Sequence, residues 1–401
     1  MRNITIEELR ATPVTEQRVE LVERKGVGHP DSICDAIMEA VSVALCREYQ
    51  ATFGRIVHHN IDKGMLVAGR TTPRIGGGTV DEPMRLIFGD RAIYEYKGKR
   101  VPVGEIAIAT AKAWIRQNLR FVDPDRHVIY QNEIKPGSPE LTDIFDREHI
   151  GANDTSAAVG YAPYTETERI VLATEQFLNG PVFKARFPEA GEDIKVMGFR
   201  RNHDLVLTVA LAFVDRFVES VNHYFARKEE MRAALADFIQ SSAYSFESVR
   251  IDINTLDDPS RGQDGMYLTV LGTSAEGGDG GQVGRGNKVN QVIALNRPMS
   301  TEAAAGKNPI SHVGKIYNLL SHHMALEIYK RVHGLREVYV WLCSQIGAPI
   351  DQPLIASAQV ILEPGVSLSD VEGPIRETME HELAGIYTFT QRLARGELPV
   401  W

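Results

Sequence analysis

The chain has 401 residues, of which 43% are apolar and 24% charged, and its formal net charge at pH 7 is −9. This length predicts two or three domains with substantial cores, and the negative charge argues against a general nucleic-acid-binding or anionic-membrane surface. The three cysteines, in no CxxC spacing, exclude a disulfide framework or a cysteine zinc site and indicate a reducing compartment.

Helical and strand patterns alternate along the chain and predict an α+β (mixed α/β) fold. The N-terminal residues include early acids and lack the apolar stretch of a signal peptide, and the longest apolar run, 205–214, is about half of a membrane helix. We therefore predict a cytoplasmic protein with no membrane partner. In chain order, the patterns predict a helix at 33–49, a strand pair within 55–68, a helix at 105–119, a strand at 127–132, a helix at 165–178, strands at 194–199 and 205–213, a helix at 228–240, strands at 248–253 and 266–271, a helix at 313–333, strands at 337–344 and 356–362, and a helix at 370–386.

The motif KGVGHPDS, residues 25–32, places a histidine and an aspartate at a predicted helix N-terminus. The free N–H groups and the dipole of a helix favour anions there. Asp31 suits Mg²⁺, which takes one or two carboxylates together with substrate phosphates, and His29 suits hydrogen bonding to a leaving oxygen. The alternative left open by this motif is an N-capping aspartate beside a surface histidine.

The motif HHNIDKGM, residues 58–65, favours a phosphate contact at Lys63 over a metal site. On a strand, neighbouring side chains point to opposite faces, so adjacent histidines do not easily chelate one ion. The same alternation predicts His59 and Lys63 on one face of a strand and Asp62 on the other.

Two further segments combine glycine with small polar residues: KPGSPEL, which contains Gly137 and Ser138, and GANDTS, which contains Asp154. Asp154 could accept a hydrogen bond from an amino or ribose hydroxyl group. Asx-turn geometry is the alternative that needs no ligand.

The segment 272–288, GTSAEGGDGGQVGRGNK, is the strongest signal for polyphosphate. Glycine is used where backbone approaches something closely, and its N–H groups can form a concavity for anions. The sequence fits neither a Walker A motif nor a GxGxxG turn. Cations recur nearby at Arg285, Lys288, Lys307 and Lys315, and such a concentration is costly unless an anion lies among them.

Together, six segments resemble the S-adenosylmethionine synthetases (methionine adenosyltransferases), and specifically the archaeal-type branch of that family. They follow the family's order along nearly the whole chain, and they are GVGHPDSICDAI, DKGMLVAG, GANDTSAAVGYAP, SAEGGDGGQVGRGNKVN, GKNPISHVGKIYN and SQIGAPIDQP.

The resemblance implies three domains related by pseudo-threefold symmetry, each a small mixed sheet with helices on one face. Their predicted bounds are 1–150, 151–262 and 263–401, with segments that can interleave. It also implies a homodimer with active sites at the subunit interface, ATP and L-methionine as substrates, and Mg²⁺ as cofactor. In the implied reaction, the methionine sulfur attacks C5′ of ATP, and the released triphosphate is hydrolysed to pyrophosphate and phosphate.

The resemblance also implies roles for individual residues. His29 is placed near the breaking C5′–O bond, Arg285 at the triphosphate and Lys307 in the GK-x-P segment, and these three are the predicted catalytic residues. Asp31 is the predicted Mg²⁺ ligand. The predicted ATP- and triphosphate-binding residues are Lys63, Gly137, Ser138, Asp154, Asp279 and Lys288.

The chain also departs from the bacterial and eukaryotic branch of the family, at three positions that concern the binding of triphosphate and cations. Ser32 replaces a lysine that contacts the triphosphate, His59 falls where a glutamate is associated with a monovalent cation, and Gly314 replaces an aspartate. A K⁺ site and a second Mg²⁺ site therefore stay open.

Overall fold

The fold is that of a computed structural model, which describes residues 2–137 and 151–401; Ser138 lies outside the described residues. The helices are α1 (Pro30–Phe53), α2 (Val103–Asn118), α3 (Glu166–Leu178), α4 (Pro181–Arg186), α5 (Val221–Gln240), α6 (Val313–Arg331), α7 (Leu368–Ala384) and α8 (Ile386–Ala394). The strands are β1 (Ile4–Glu8), β2 (Val19–Lys25), β3 (His59–Asn60), β4 (Met65–Val67), β5 (Arg70–Thr72), β6 (Thr79–Glu82), β7 (Met84–Phe88), β8 (Arg91–Ala92), β9 (Glu95–Tyr96), β10 (Lys99–Arg100), β11 (Val128–Asn132), β12 (Lys135–Pro136), β13 (Ala157–Ala162), β14 (Ala190–Arg201), β15 (Asp204–Val214), β16 (Ser248–Ile253), β17 (Leu268–Thr269), β18 (Gly281–Gln282), β19 (Ile293–Ala294), β20 (Leu335–Cys343) and β21 (Ile355–Leu362).

Three large hydrophobic cores each join a mixed sheet to helices. The first lies between α1, α2 and the sheet β11-β7-β4-β18. The second lies between α3, α5 and the sheet β16-β15-β14-β2-β19. The third joins α6, α7 and α8 to the sheet β1-β21-β20-β13. The predicted α+β fold class is confirmed.

The chain crosses between these sheets more than once. β1 pairs in parallel with β21, with Ile4 opposite Ala356, and so belongs to the third sheet. β2 pairs with β14 in the second sheet, with Val22 opposite Gly198. β18, from the glycine-rich segment, pairs with β4 in the first sheet. The domain bounds at residues 150 and 262 stay a prediction.

The clearest sequence patterns are confirmed. β15 buries Leu205, Leu207, Val209 and Leu211 in alternation with outward-facing residues, as a half-buried strand should. In α1, Pro30 occupies the first helical turn, where its missing N–H costs no helical hydrogen bond. The helix predicted at 370–386 corresponds to α7, Leu368–Ala384, with α8 as a separate helix after it, and the strand predicted at 266–271 is only the two residues of β17.

Among the described residues, no helix is both long and apolar enough to span a membrane. The apolar run noted in the sequence is β15.

Candidate active site

The first turn of α1 is fixed by a histidine cap. The Nδ1 atom of His29 accepts a hydrogen bond from the Asp31 backbone N–H at 3.2 Å, so the ring proton lies on Nε2. Burial lowers the pKa of His29, although the charge of Asp193 opposes that shift. The predicted alternative, an aspartate cap at Asp31, is wrong, because Asp31 lies inside the helix. His29 is therefore a neutral side chain with one N–H to donate.

Asp31 is held between the end of β2 and the glycine-rich segment. Lys25 Nζ lies 2.9 Å from one carboxylate oxygen, and the Gln282 N–H donates to the other at 3.0 Å. Ser32 is fully buried and donates to the Lys25 carbonyl at 3.2 Å. The cation beside Asp31 is thus Lys25, six residues earlier, and Ser32 stands where the bacterial and eukaryotic branch has a lysine.

Asp193, on β14, faces His29 and was missed in the sequence. It accepts hydrogen bonds from the N–H and Oγ of Ser274, at 2.8 and 2.6 Å. Ser274 Oγ also lies 3.1 Å from the exposed carboxylate of Asp279. Burial raises the pKa of Asp193, while His29 lowers it. We call His29, Asp31, Asp193, Ser274 and Asp279 the His29 cluster.

The glycine-rich segment 272–288 lies directly against α1. A Cβ atom on Gly281 would be 2.1 Å from the Pro30 carbonyl oxygen, so only glycine permits this approach. The Thr273 hydroxyl donates to the Gly28 carbonyl at 2.7 Å. The predicted close backbone approach is confirmed, although its partner here is protein backbone. The Arg285 side chain is exposed, whereas Lys288 is half-buried and burial lowers its pKa.

A cleft of about 350 Å³ is lined by residues 208–210, 254–257, 261 and 264–267, none of which belongs to the His29 cluster. Its wall includes Tyr267, whose hydroxyl interacts with Ser274 and whose pKa is raised by burial and by the charge of Asp193. Leu256, 88% exposed, and Met266 add apolar surface, and Arg261 adds a cation. An apolar wall with a polar end is the usual form of a site for an aromatic ligand.

A second group of charges surrounds Lys307. Lys307 Nζ lies 2.5 Å from Asp62 and 2.8 Å from Glu302, and its side chain is only 3% exposed. Lys63, 61% exposed, pairs with the other oxygen of Asp62 at 2.6 Å. Asp90 shares a hydrogen bond with Asp62, and its pKa rises to about 6 through burial and the neighbouring carboxylate. We call Asp62, Lys63, Asp90, Glu302 and Lys307 the Lys307 cluster.

The predicted alternation in this region is wrong. The strand β3 ends at Asn60, so Lys63 turns to the surface and bonds Asp62, whereas His59 is fully buried. His59 lies within hydrogen-bonding distance of Ser42 and Asn308, and burial lowers its pKa to about 3. His59 is thus a neutral core residue.

One face of α1 connects the two clusters. Its acidic residues recur every four positions: Asp31 binds the Gln282 N–H, Asp35 the Gly284 N–H and Glu39 the Gly306 N–H. At 1.5 Å per residue, the first and last of these lie about 12 Å apart along the helix. α1 therefore sets the spacing between the glycine-rich segment and the GKNP segment, residues 306–309.

The remaining predicted residues lie outside the His29 cluster. The Gly137 N–H donates to the Ala92 carbonyl at 3.2 Å, which places Gly137 beside β8, next to Asp90. The exposed carboxylate of Asp154 accepts the N–H of the next residue, Thr155, at 2.7 Å, whereas an Asx turn would use the N–H two residues on. The Asn153 N–H donates to the Ser311 carbonyl, so this loop adjoins the GKNP segment.

Lys315 has a partner that the sequence did not reveal. Its Nζ lies 2.8 and 2.6 Å from the two oxygens of Glu39, and its side chain is fully buried. In residues 2–137 and 151–401, no three or more His, Cys, Asp or Glu side chains are grouped to hold a metal ion.

The model of one protein family, described as S-adenosylmethionine synthetase (AdoMet synthetase), matches residues 2–397. The S-adenosylmethionine synthase of Methanothermobacter marburgensis is 46% identical over 400 residues, which cover 99% of each chain. That of Pyrococcus furiosus is 48% identical over 404 residues, and the match covers 100% of each chain. A solved S-adenosylmethionine synthetase from Campylobacter jejuni, described as unusual, is 15% identical with a TM-score of 0.61, covering 96% of this chain and 95% of its own. That last similarity concerns the fold.

Proposed function

Because the chain belongs to the S-adenosylmethionine synthetase family and makes S-adenosylmethionine from ATP and methionine, we propose that the His29 cluster is where the adenosyl group is transferred. The observation that carries this proposal is the neutral His29, whose Nε2–H is free of the helix cap and lies among Asp31, Asp193 and Asp279. A donor in that state can bond the oxygen that leaves C5′.

The reaction needs no general base. A thioether sulfur has no proton to lose, so the protein has to align sulfur with C5′ and stabilise charge on the departing triphosphate. Arg285, exposed beside the cluster, suits bidentate binding of phosphate oxygens. Lys63 supplies a further, exposed cation, and Lys307 stays in the proposal as the buried partner of Asp62, which holds Lys63 in place.

The cleft beside Tyr267 suits the adenosine of ATP. Its apolar wall would cover the base, and Tyr267, whose hydroxyl interacts with Ser274, links the cleft to the His29 cluster. Asp154 and Gly137 are ATP-binding residues in the proposal. The loop of Asp154 adjoins the GKNP segment, and that of Gly137 lies next to Asp90.

The residues fit Mg²⁺. Asp31 is a fixed carboxylate and Asp279 an exposed one, both next to the segment that carries Arg285. Mg²⁺ takes one or two carboxylates and completes its shell with phosphate oxygens and water. When bound, it would neutralise charge on the triphosphate. At the position implied for a monovalent-cation ligand, the neutral, buried His59 offers no oxygen, so K⁺ has no place in the proposal.

A homodimer and a cytoplasmic location complete the proposal. The second sheet leaves apolar side chains on its open face, including Phe199 at 38% and Leu295 at 53% exposure, which supports a partner packed on that face. The three free thiols suit a reducing compartment.

The variant His29→Asn tests the role of His29. We expect it to reduce S-adenosylmethionine synthesis about a hundredfold, as loss of a donor to developing charge does, and to affect hydrolysis of added triphosphate much less. The exposed His203→Asn serves as the matched control and should leave both rates unchanged. Equal losses of synthesis and hydrolysis in the His29 variant would contradict a leaving-group role.

A further inference from the structure

Asp35 lies one helical turn after Asp31, and its carboxylate contacts the backbone on both sides of Arg285. The Gly284 N–H donates to Oδ1 at 2.8 Å. The Gly286 N–H also stabilises the charged carboxylate and so lowers its pKa, against the larger effect of burial. The Arg285 carbonyl accepts from Lys25 Nζ at 2.6 Å. The Gly284 N–H, just before Arg285, and the Arg285 carbonyl are thus both held by side chains, while the Arg285 side chain is left exposed.

The segment also fits Asp35 sterically. A Cβ atom on Gly286 would lie 2.2 Å from Asp35 Oδ2, which is closer than any side chain can approach. Gly284 has φ of +86°, a conformation that L residues rarely adopt. The two glycines that flank Arg285 are thus required by the carboxylate beneath them and by the backbone turn.

The buried carboxylate is costly to the fold. Asp35 is 2% exposed, and burial raises its pKa to about 7. Within the described residues, Oδ2 has no hydrogen-bond partner, and Asp35 lines a cavity of about 30 Å³ beside Lys288. A buried polar atom without a partner is unfavourable, so stability alone does not account for an aspartate here.

We propose that Asp35 is a positioning residue that holds Arg285 in place for the triphosphate, an inference that rests on the proposed role of Arg285. By fixing the peptides before substrate binds, Asp35 removes part of the entropy that an exposed arginine on a glycine-rich segment would otherwise lose.

A double-mutant cycle tests this inference, with Asp35→Asn and Arg285→Ala made singly and together. The asparagine keeps the shape of Asp35 but removes its charge, which weakens the hydrogen bond from the Gly284 N–H. We expect Asp35→Asn to lower kcat/KM for ATP about tenfold, the effect of losing one hydrogen bond to a charged group. In the Arg285→Ala background the same change should have less than about a twofold effect, because residues that act as a unit are not additive.

Two further variants keep the test decisive. Gly286→Ala displaces the segment without altering the carboxylate and should show the same dependence on Arg285. Val41→Ala, in the core on the same helix, creates a cavity away from the segment and serves as the stability control. Its effect on kcat/KM should be small and the same with or without Arg285.

The outcomes separate the two proposals. If Arg285→Ala leaves kcat/KM unchanged, the role of Arg285 in the proposed function fails, and the inference on Asp35 fails with it. If Arg285→Ala impairs turnover but Asp35→Asn and Gly286→Ala keep their full effects in that background, only the inference on Asp35 is overturned. Should Asp35→Asn not fold, Gly286→Ala decides alone.

Discussion

The His29 cluster and the Lys307 cluster both lie close to α1 but differ in which basic residues their carboxylates already bind. Beside the His29 cluster, the carboxylates of Asp31 and Asp35 bind backbone N–H groups of the glycine-rich segment, Asp31 also pairs with Lys25, and Arg285 stays exposed. At the Lys307 cluster, carboxylates bind the lysines themselves, so Lys307 is already paired with Asp62 and Glu302.

The difference shows that a basic residue in the sequence can already be paired in the fold and so be unavailable to a ligand. Of the four basic residues that indicated polyphosphate, Lys315 is neutralised in the core by Glu39 and Lys307 by Asp62. Of these four residues, only Arg285 is exposed. Stability and catalysis should therefore respond to different members of this set, and four predictions, from the largest effect to the smallest, test that separation.

Replacing Lys315 by methionine should mainly destabilise the fold. The change leaves the buried Glu39 carboxylate without its cation, and loss of one partner of a buried pair costs about 3–5 kcal/mol. Chemical denaturation of Lys315→Met and of the double variant with Glu39→Gln would measure this. The double variant should recover most of the loss, and an equally unstable double variant would contradict pairing as the cause.

Replacing Arg285 by alanine should act in the opposite way. We expect turnover to fall about a hundredfold, because a charge on the leaving triphosphate loses its partner, while the free energy of unfolding changes by less than about 0.5 kcal/mol, as at exposed positions. Steady-state kinetics and denaturation check both numbers, with Arg10→Ala, whose side chain is 88% exposed, as control. A matching loss of stability would assign Arg285 a structural role.

Local patterns in the sequence predicted much of the secondary structure but little of its assembly. The alternation in β15 and the place of Pro30 in the first turn of α1 are local, so they can be read from short stretches. The membership of β1 and β2 in different sheets depends on partners more than 150 residues away, for which a strand of five to seven residues carries no signal.

The candidate site was predictable where one short motif carries the residues that give the site its chemical properties. The contact of the GHPD motif with the glycine-rich segment agrees with the sequence, since both are marked by glycine. Asp193 was missed because it lies within a strand, where nothing nearby in sequence distinguishes it from a surface acid. Lys315 was misjudged for the converse reason, since its partner Glu39 is 276 residues away.

Lys63 and Lys307 share Asp62 but differ in burial, so their variants should separate binding from folding. Lys63→Met removes an exposed cation, and we expect KM for ATP to rise about tenfold with less than about 1 kcal/mol lost in stability. Lys307→Met should lower turnover and also cost about 1–3 kcal/mol of stability, because a buried charged hydrogen bond is lost. Identical profiles for the two variants would contradict the division.

Glu276, at the start of the glycine-rich segment, should make stability depend on pH. Burial raises the pKa of Glu276 from an ordinary 4.5 to about 7, although its carboxylate accepts the Val270 and Leu271 N–H groups. The folded state therefore holds a proton that the unfolded chain has released, so this contribution is present below pH 4.5 and is lost as the pH rises through about 7. The stability of the unsubstituted chain relative to Glu276→Gln should fall across that interval, by an amount on the order of 1–3 kcal/mol.

Thermal unfolding of both chains at several pH values would measure this difference, and Glu302→Gln, whose carboxyl belongs to the Lys307 cluster and is about one-third exposed, provides the comparison. The difference found for Glu276→Gln is read against the difference found for Glu302→Gln at the same pH values. A flat difference for Glu276→Gln would mean that the two backbone N–H groups outweigh burial. The acids of the glycine-rich segment would then be charged when they accept hydrogen bonds from its backbone. The contrast between the two clusters would depend only on which groups their carboxylates contact.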